Sequence, residues 1–175
     1  KKAKEYNQKL GGKGYFGSYE SAIESSEINT VFICTPPDSH LDLALKAIRA
    51  GKHVIVEKPP FFKASDFDLI AEERAKTGVQ VMVAENYFYK PLLIKLREIL
   101  KTDVIGQPKF LYFNATKIQK SEDWRNEIAL VGGGALFEGG IHWVNFISNL
   151  GLNVKSVHGF QPDNLNEKLE RSMQV

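Results

Sequence analysis

Three short apolar runs, separated by two helix-sized amphipathic segments, constrain the fold of this chain more than any other feature. The runs are Thr30–Cys34, His53–Val56 and Val79–Ala84. Each is too short for a helix and almost continuously apolar, as is typical of a strand buried on both faces of a parallel sheet. The segments between them, 39–50 and 65–77, carry apolar residues at helical spacing and are followed by glycine. This alternation predicts βαβ units and a doubly wound, parallel α/β sheet.

Start signals place the beginnings of these two helices. Ser39 with Asp42, and Ser65 with Asp68, have the spacing of a capping box. We therefore expect each serine side chain to cap the first turn of its helix. Prolines that follow the first two runs prevent either strand from continuing, because proline has no N–H for the ladder.

The second half of the chain has a different pattern, with longer segments and no βαβ alternation. The elements that we predict there are helices at 91–101 and 135–150 and strands at 107–118 and 154–160. Together they indicate the start of an α+β domain. The sequence therefore predicts a partial Rossmann domain at 1–86 and a partial second domain at 87–175.

Composition excludes several classes of function. The formal net charge is +2 with no basic stripe, so neither nucleic acid nor a membrane surface is an expected partner. No apolar run reaches the roughly 20 residues that span a bilayer. The single cysteine, Cys34, fits a reducing cytoplasm. The four histidines lack metal-ligand spacing, so no metal is expected.

Ligands of open parallel sheets bind beyond the carboxyl ends of the strands. Three such ends carry polar groups or prolines here: Thr35-Pro36-Pro37, Glu57-Lys58-Pro59 and Glu85-Asn86. Any one of them is typical of an ordinary connection, but three together favour a ligand crevice. A lysine at position 58 would polarise a substrate oxygen, or would reach water and pair with Glu57, and its position alone favours neither interpretation.

Two further pairs are candidates for chemistry. Glu138 and His142 are four residues apart, which on a helix places them on one face as an acid/base pair. The alternative is a capping or solvent-facing pair. Trp124-Arg125 would bind phosphate or carboxylate with the indole as a platform, or would simply be a surface pair.

Taken together, these residues resemble the Gfo/Idh/MocA family, the glucose–fructose oxidoreductase and inositol dehydrogenase group. The segments that carry the resemblance are VFICTPPDSH (31–40), AGKHVIVEKPP (50–60), VMVAENYFYKP (81–91) and DWRNEIALVGGGALFEGGIHW (123–143). They follow the family's order and spacing and cover most of the chain. The resemblance implies a Rossmann domain followed by an α+β domain whose open sheet commonly supports homo-oligomers.

The resemblance also implies roles for individual residues. Lys58 lies near the nicotinamide and the reacting carbon, preceded by a strand and joined to Pro59 by a cis peptide bond. His142 takes the proton from the substrate hydroxyl, and Glu138 matches the carboxylate that accompanies it. Asn145 occupies a substrate-side position where an aspartate often stands. The remaining matches line the cofactor crevice: Thr35, Pro36, His40, Glu57, Asn86, Trp124 and Arg125.

The function that follows is hydride transfer between NAD or NADP and a hydroxyl carbon of a sugar, cyclitol or related polyol. The alternative is a non-catalytic dinucleotide-binding regulator, since Glu138 and Asn145 depart from the usual aspartates. The family's glycine-rich G-x-G-x-x-G turn, which holds the pyrophosphate, belongs before Lys1, and we expect it to be missing. We therefore expect activity in the full-length protein and not in this piece alone.

Overall fold

A three-stranded parallel sheet lies at the centre of the computed structural model, which describes residues 1–116, 123–151 and 153–160. The strands are β1 (Thr30–Ile33), β2 (His53–Val56) and β3 (Val81–Val83), in the order β1-β2-β3. Thr30 is paired with His53, and Val54 with Val81, and both pairings are parallel. The predicted parallel arrangement of neighbouring strands is confirmed.

Helices account for most of the remaining structure. The α-helices are α1 (Lys2–Leu10), α2 (Tyr19–Glu24), α3 (His40–Arg49), α4 (Ala64–Thr77), α5 (Pro91–Lys101), α6 (Ile128–Val131) and α7 (Ile141–Ser148). Short 3₁₀ turns lie at Pro37–Ser39, Asn86–Tyr89 and Asp123–Asn126, and a π-helical turn at Leu136–Gly140 leads into α7. The helices that connect the strands are α3 and α4, as the alternating pattern predicted.

The core lies where α3 packs against the sheet. Ala44, Ala47 and Ile48 are fully buried on one face of α3, and Val54 and Val56 of β2 are buried with them. The two alanines allow the helix backbone to approach the sheet closely, and Ile48 fills the space beside them. This packing fixes the position of β2, whose carboxyl end leads directly to Glu57 and Lys58.

Both predicted serine caps are wrong. The Ser39 hydroxyl donates to the carbonyl of Pro36 at 2.8 Å and is 2.6 Å from the Thr35 hydroxyl, so it binds the preceding loop and not the helix. Helix α4 begins at Ala64, one residue before Ser65, and the Asp66 carboxylate accepts a hydrogen bond from the backbone N–H of Lys63. The helices are nevertheless close to the predicted ranges because their apolar faces determine them.

The short helix α2 is attached to α3 through one tyrosine. The Tyr19 hydroxyl donates to the carbonyl of Leu43 at 2.7 Å. Burial, with smaller contributions from the Asp42 and Glu20 carboxylates, raises the pKa of Tyr19 to about 12. The hydroxyl therefore stays protonated and keeps this hydrogen bond at every pH at which the protein is normally handled.

The two strands predicted in the second half are wrong for the described residues. Residues 107–116 form no strand, 117 and 118 lie outside the described residues, and 154–160 contain only an isolated bridge at Phe160. Phe113 contacts Trp143 and Phe146, whereas its neighbours Phe110, Leu111 and Tyr112 are exposed, so burial does not alternate along this segment. An extended segment becomes a strand only through a hydrogen-bonded neighbour, and no described segment pairs with 107–116.

Truncation of the core residue Ile48 tests this packing. Because Ile48 is fully buried, Ile48→Ala should lower the free energy of unfolding by about 2–5 kcal/mol, from lost burial and the cavity left behind. Leu92→Ala is the control, since Leu92 of α5 is 78% exposed and should change stability by about 0.5 kcal/mol or less. Urea unfolding followed by circular dichroism measures both. Equal losses would contradict the proposed core.

Candidate active site

Two adjoining cavities lie at the carboxyl edge of the sheet. The larger, cavity 1, has a volume of about 340 Å³ and is lined by residues from the ends of β2 and β3 together with His142 and Tyr89. The smaller, cavity 2, has a volume of about 150 Å³ and is lined by residues after β1 and β2 together with Trp124, Arg125 and Glu138. Glu57 and Lys58 line both cavities. The predicted ligand edge of the sheet therefore corresponds to a real concave surface.

His40 holds one wall of cavity 2 in place. The side chain is almost fully buried, with Nδ1 3.0 Å from the Pro59 carbonyl oxygen and Nε2 2.8 Å from the Thr35 carbonyl oxygen. Both ring nitrogens therefore face backbone acceptors in the loops that follow β1 and β2. His40 thus lines cavity 2 and also holds these two loops together.

Lys58 connects the sheet edge to the second half of the chain. The Lys58–Pro59 peptide bond is cis, as the resemblance implied. The Lys58 ammonium donates to the backbone carbonyl of Glu138 at 2.8 Å, and the backbone N–H of Lys58 donates to the Glu57 carboxylate at 3.1 Å. An ammonium has three N–H groups, so Lys58 retains donor capacity toward a ligand in either cavity.

The Glu138 side chain lies at cavity 2, where it contacts Arg125. Nε of Arg125 donates to Glu138 Oε1 at 3.2 Å, and the guanidinium stacks on the Trp124 ring at 4.5 Å from its centroid. The Arg125 and Glu138 side chains are 45% and 29% exposed, so the energy of this ion pair is small. Its effect is positional: it holds the guanidinium beside the indole at the cavity wall.

The carboxylate that contacts His142 is Glu85. Nδ1 of His142 lies 2.7 Å and 2.9 Å from the two Glu85 carboxylate oxygens, and both side chains are buried. The prediction paired His142 with Glu138 on the basis of α-helical spacing. A π-helical turn covers Leu136–Gly140, so the α-helical geometry assumed by that prediction does not apply there.

An aromatic stack fixes the plane of the His142 ring. Tyr87 stacks on the imidazole with centroids 4.0 Å apart and an interplanar angle of 11°. The Trp143 ring meets Tyr87 edge-on at 5.7 Å, and the Lys90 ammonium lies 3.1 Å from the Tyr87 centroid. Because the imidazole covers one face of Tyr87, the ammonium lies on the other face. The imidazole is thus held in its plane by Tyr87 and along its edge by Glu85.

Sequence reasoning missed two features of the site and assigned to it two residues that lie outside both cavity linings. Tyr87 was missed, and so was the contact of Glu85 with His142, although Glu85-Asn86 had been recognised as a polar segment after a strand. Among the residues that the resemblance assigns to the cofactor crevice, those that line a cavity are Thr35, His40, Glu57, Asn86, Trp124 and Arg125. Pro36 does not line either cavity, whereas Pro37 lines cavity 2. Asn145 also lies outside both linings, and its side chain contacts Asn149.

A G-x-G-x-x-G spacing does occur, at Gly12, Gly14 and Gly17. It lies between α1 and Ser18, the N-cap of α2, and these glycines are exposed. A phosphate-binding turn of this kind must follow a strand and open a helix. Because a helix and not a strand precedes these glycines, they do not form the dinucleotide-binding turn.

Comparison with known proteins shows that the chain belongs to the Gfo/Idh/MocA oxidoreductase family. Residues 1–85 match the family model described as an oxidoreductase family with an NAD-binding Rossmann fold. Residues 93–174 match the Gfo/Idh/MocA C-terminal domain. The predicted family, the Rossmann-like α/β fold class and a nicotinamide dinucleotide as the family's cofactor are thereby confirmed.

Curated relatives include several oxidoreductases. Oxidoreductase P35 of Formosa agariphila is 31% identical over 79% of this chain and 45% of the relative. Trans-1,2-dihydrobenzene-1,2-diol dehydrogenase of Mus musculus is 30% identical over 84% of this chain and 44% of the relative. Myo-inositol 2-dehydrogenase of Thermotoga maritima is 29% identical over 62% of this chain and 32% of the relative. The chain thus spans less than half the length of each.

Among solved structures, an NAD-binding protein from Listeria innocua has a similar fold. Its TM-score is 0.81 at 27% identity, and the match covers 97% of this chain and 50% of that protein.

No helix among the described residues is long and apolar enough to cross a membrane. Within the same residues, no group of three or more histidine, cysteine, aspartate or glutamate side chains is placed to hold a metal ion.

Gly132 positions the segment that carries Glu138 and His142. It ends α6 with φ +76°, and an added Cβ would lie 2.4 Å from the Phe62 ring, in the loop after β2. This close approach packs the glycine-rich segment against the loop that follows Lys58-Pro59. The position thus requires glycine both for its left-handed backbone and for the space that it leaves to Phe62.

The stability of two glycine variants separates these requirements. Gly132→Ala and Gly106→Ala both place a Cβ at positive φ, but nothing lies within 4 Å of that Cβ at Gly106. Each should lose about 1–2 kcal/mol from the left-handed backbone, and Gly132→Ala about 1–3 kcal/mol more from the clash. Chemical unfolding of the two variants measures the difference. Equal losses would show that the Phe62 contact is unimportant.

The reactivity of Cys34 reports on cavity 2. Burial, together with the Glu57 carboxylate, raises the pKa of the Cys34 thiol. The thiolate is the reactive form, so iodoacetamide should alkylate Cys34 at neutral pH more slowly than an ordinary thiol. Glu57→Gln removes the nearby charge and should speed alkylation at a given pH. Mass spectrometry over a pH series measures both rates, and an unchanged rate in the variant would place Glu57 away from the thiol.

Proposed function

We propose that the full-length protein transfers hydride between a nicotinamide dinucleotide and a hydroxyl carbon of a sugar, cyclitol or related polyol. One observation carries this proposal: His142, with its Nδ1 on Glu85, and Lys58 line the same cavity at the carboxyl edge of a Rossmann sheet. The two residues come from the separate halves of the chain, so local structure alone does not bring them together. A proton acceptor and a cationic donor beside one cavity suit the chemistry of an alcohol carbon.

The residues around the two cavities fit the nicotinamide end of the dinucleotide. The polar groups that would hold it are Thr35, Glu57, Asn86 and Arg125, with the Trp124 ring as a flat apolar surface. The dinucleotide, when bound, accepts or supplies the hydride.

His142 is proposed to exchange the proton of the substrate hydroxyl. An ionised carboxylate only accepts hydrogen bonds, so Glu85 requires a proton on Nδ1 of His142. The neutral ring then has its lone pair on Nε2, which is the form that takes up a proton from an alcohol. Lys58 is proposed to donate to the same substrate oxygen, because its ammonium lies at the cavity and favours developing negative charge there.

The polyol class is supported by relatives and by the lining of cavity 1. Two relatives are named as dehydrogenases of a cyclic diol and of myo-inositol. Cavity 1 combines the polar side chains of Glu57, Asn86 and His142 with the apolar Met82 and Val83. Such a lining suits a small molecule with several hydroxyl groups and a carbon ring.

The organisation of the whole protein is also a proposal. We place the domain boundary between residues 86 and 87, in line with family models that end at 85 and begin at 93. We propose a homo-oligomer in which the extended segment at 107–116 is covered, because Phe110 and Tyr112 are exposed there. A cytoplasmic location stays a prediction.

Replacement of His142 tests the proposed function. In the full-length protein His142→Ala should lower the turnover number by roughly 10²–10⁴-fold, the usual contribution of a positioned acid or base, with little change in dinucleotide affinity. His158→Ala is the matched control, since His158 is exposed and lines neither cavity. Steady-state kinetics with NAD, NADP and a panel of polyols measures turnover, and calorimetry measures dinucleotide binding.

The outcomes separate the two candidate functions. Dinucleotide binding without turnover in the wild-type protein would favour the non-catalytic regulator. Wild-type turnover in His142→Ala would show that another group handles the proton. Loss of turnover with intact dinucleotide binding supports the enzyme.

A further inference from the structure

We infer that Glu85 is the positioning residue for His142, fixing the ring so that Nε2 alone exchanges the proton, and that Glu138 does not have this role. The inference rests on the proposed function, because it assigns a partner to the proposed base. It also differs from the pairing by sequence spacing, which joined His142 to the carboxylate four residues before it. The two carboxylates therefore have separate tasks.

Two hydrogen bonds besides the contact with His142 hold Glu85 in place. The backbone N–H of Glu85 donates to the Val83 carbonyl at 2.8 Å, and Oε1 of Glu85 accepts from the backbone N–H of Tyr87 at 2.9 Å. The residue is only 8% exposed. A buried carboxylate needs donors around it, and here Tyr87 and His142 provide them. Glu85 is therefore held at a fixed place at the end of β3.

The contact with His142 determines which ring nitrogen holds its proton. Both carboxylate oxygens lie within 2.9 Å of Nδ1. Nδ1 therefore remains the protonated donor whether the ring is neutral or cationic, and the proton that comes and goes is the one on Nε2. The Tyr87 stack holds the ring plane, so the direction of Nε2 is fixed as well.

The other charged groups near this pair act differently. Lys58 and Glu57 line the same cavity, and Lys90 lies against Tyr87 and not against the imidazole. The Glu138 carboxylate contacts Arg125 at cavity 2, and its backbone carbonyl accepts from Lys58. Among the charged groups of the described residues, Glu85 is the one that contacts the imidazole.

The pairing also joins the two halves of the chain. Glu85 is the last residue matched by the Rossmann model, and His142 lies in the part matched by the C-terminal model. The oriented imidazole therefore exists only when the two parts are packed together. A change in their packing would alter the base without altering either residue.

Kinetics of the full-length protein test the inference. Glu85→Gln removes the charge and should lower turnover by about 10–100-fold, in the range seen for carboxylates that orient a metal-bound imidazole, with KM nearly unchanged. Glu138→Gln makes the same chemical change at the carboxylate that contacts Arg125, and should lower turnover less than Glu85→Gln does.

A second measurement does not depend on turnover. ¹⁵N chemical shifts of the histidine rings in the ligand-free protein distinguish a protonated from an unprotonated nitrogen. The wild-type protein and Glu138→Gln should hold His142 protonated on Nδ1, whereas Glu85→Ala should populate both tautomers. Glu85→Asp keeps the charge, should recover part of the turnover, and serves if the other variants fold poorly.

The results distinguish a failure of the inference from a failure of the proposed function. If His142→Ala is inactive but Glu85→Gln keeps wild-type turnover, the inference is wrong and the function stands. If the wild-type protein has no oxidoreductase activity, the function fails, and the tautomer of His142 decides the role of Glu85 alone. An Nε2–H tautomer in the wild-type protein would overturn the inference.

Discussion

Parallel pairing of three short strands is the constraint on which the rest of this structure depends. Because β1, β2 and β3 run the same way, their carboxyl ends meet at one edge, and the residues that follow them share one crevice. Each strand contributes only three or four residues, so the sheet is stabilised mainly by α3 and its small buried side chains. The packing of α3 against the sheet therefore determines where Glu57, Lys58 and Glu85 lie.

Backbone carbonyls hold much of the site together. His40 spans the carbonyls of Thr35 and Pro59, and Lys58 reaches that of Glu138. A neutral imidazole has one N–H and so donates to one of its two carbonyls at a time. The loops after β1 and β2 are thus joined by a buried polar contact, and the glycine-rich segment is joined to β2 by the lysine. These contacts align elements that are distant in sequence.

Much of the fold could be predicted because apolar spacing determines it. The three strands follow from short, almost continuous apolar runs, and the helices α3, α4 and α5 follow from apolar residues repeated about every 3.6 residues. Helix starts were less predictable, since the Ser39 hydroxyl contacts the preceding loop and α4 begins at Ala64, one residue before Ser65. The segment at 107–116 has a strand pattern, but a strand also needs a partner, and a pattern within one segment does not supply one. The partner of His142 was unpredictable for a related reason: Glu85 is distant in sequence, and the π-helical turn is not encoded by any simple spacing.

The hydrogen bond from Lys58 to position 138 determines which substitutions at that position the site can accept. The acceptor is the main-chain oxygen of Glu138 and not its carboxylate. Replacing the side chain at this position, whether glutamate, aspartate or a neutral residue, leaves that acceptor in place as long as the turn keeps its shape. The orientation of the Lys58 side chain therefore does not depend on which side chain residue 138 carries. The Glu138 carboxylate contacts Arg125 instead.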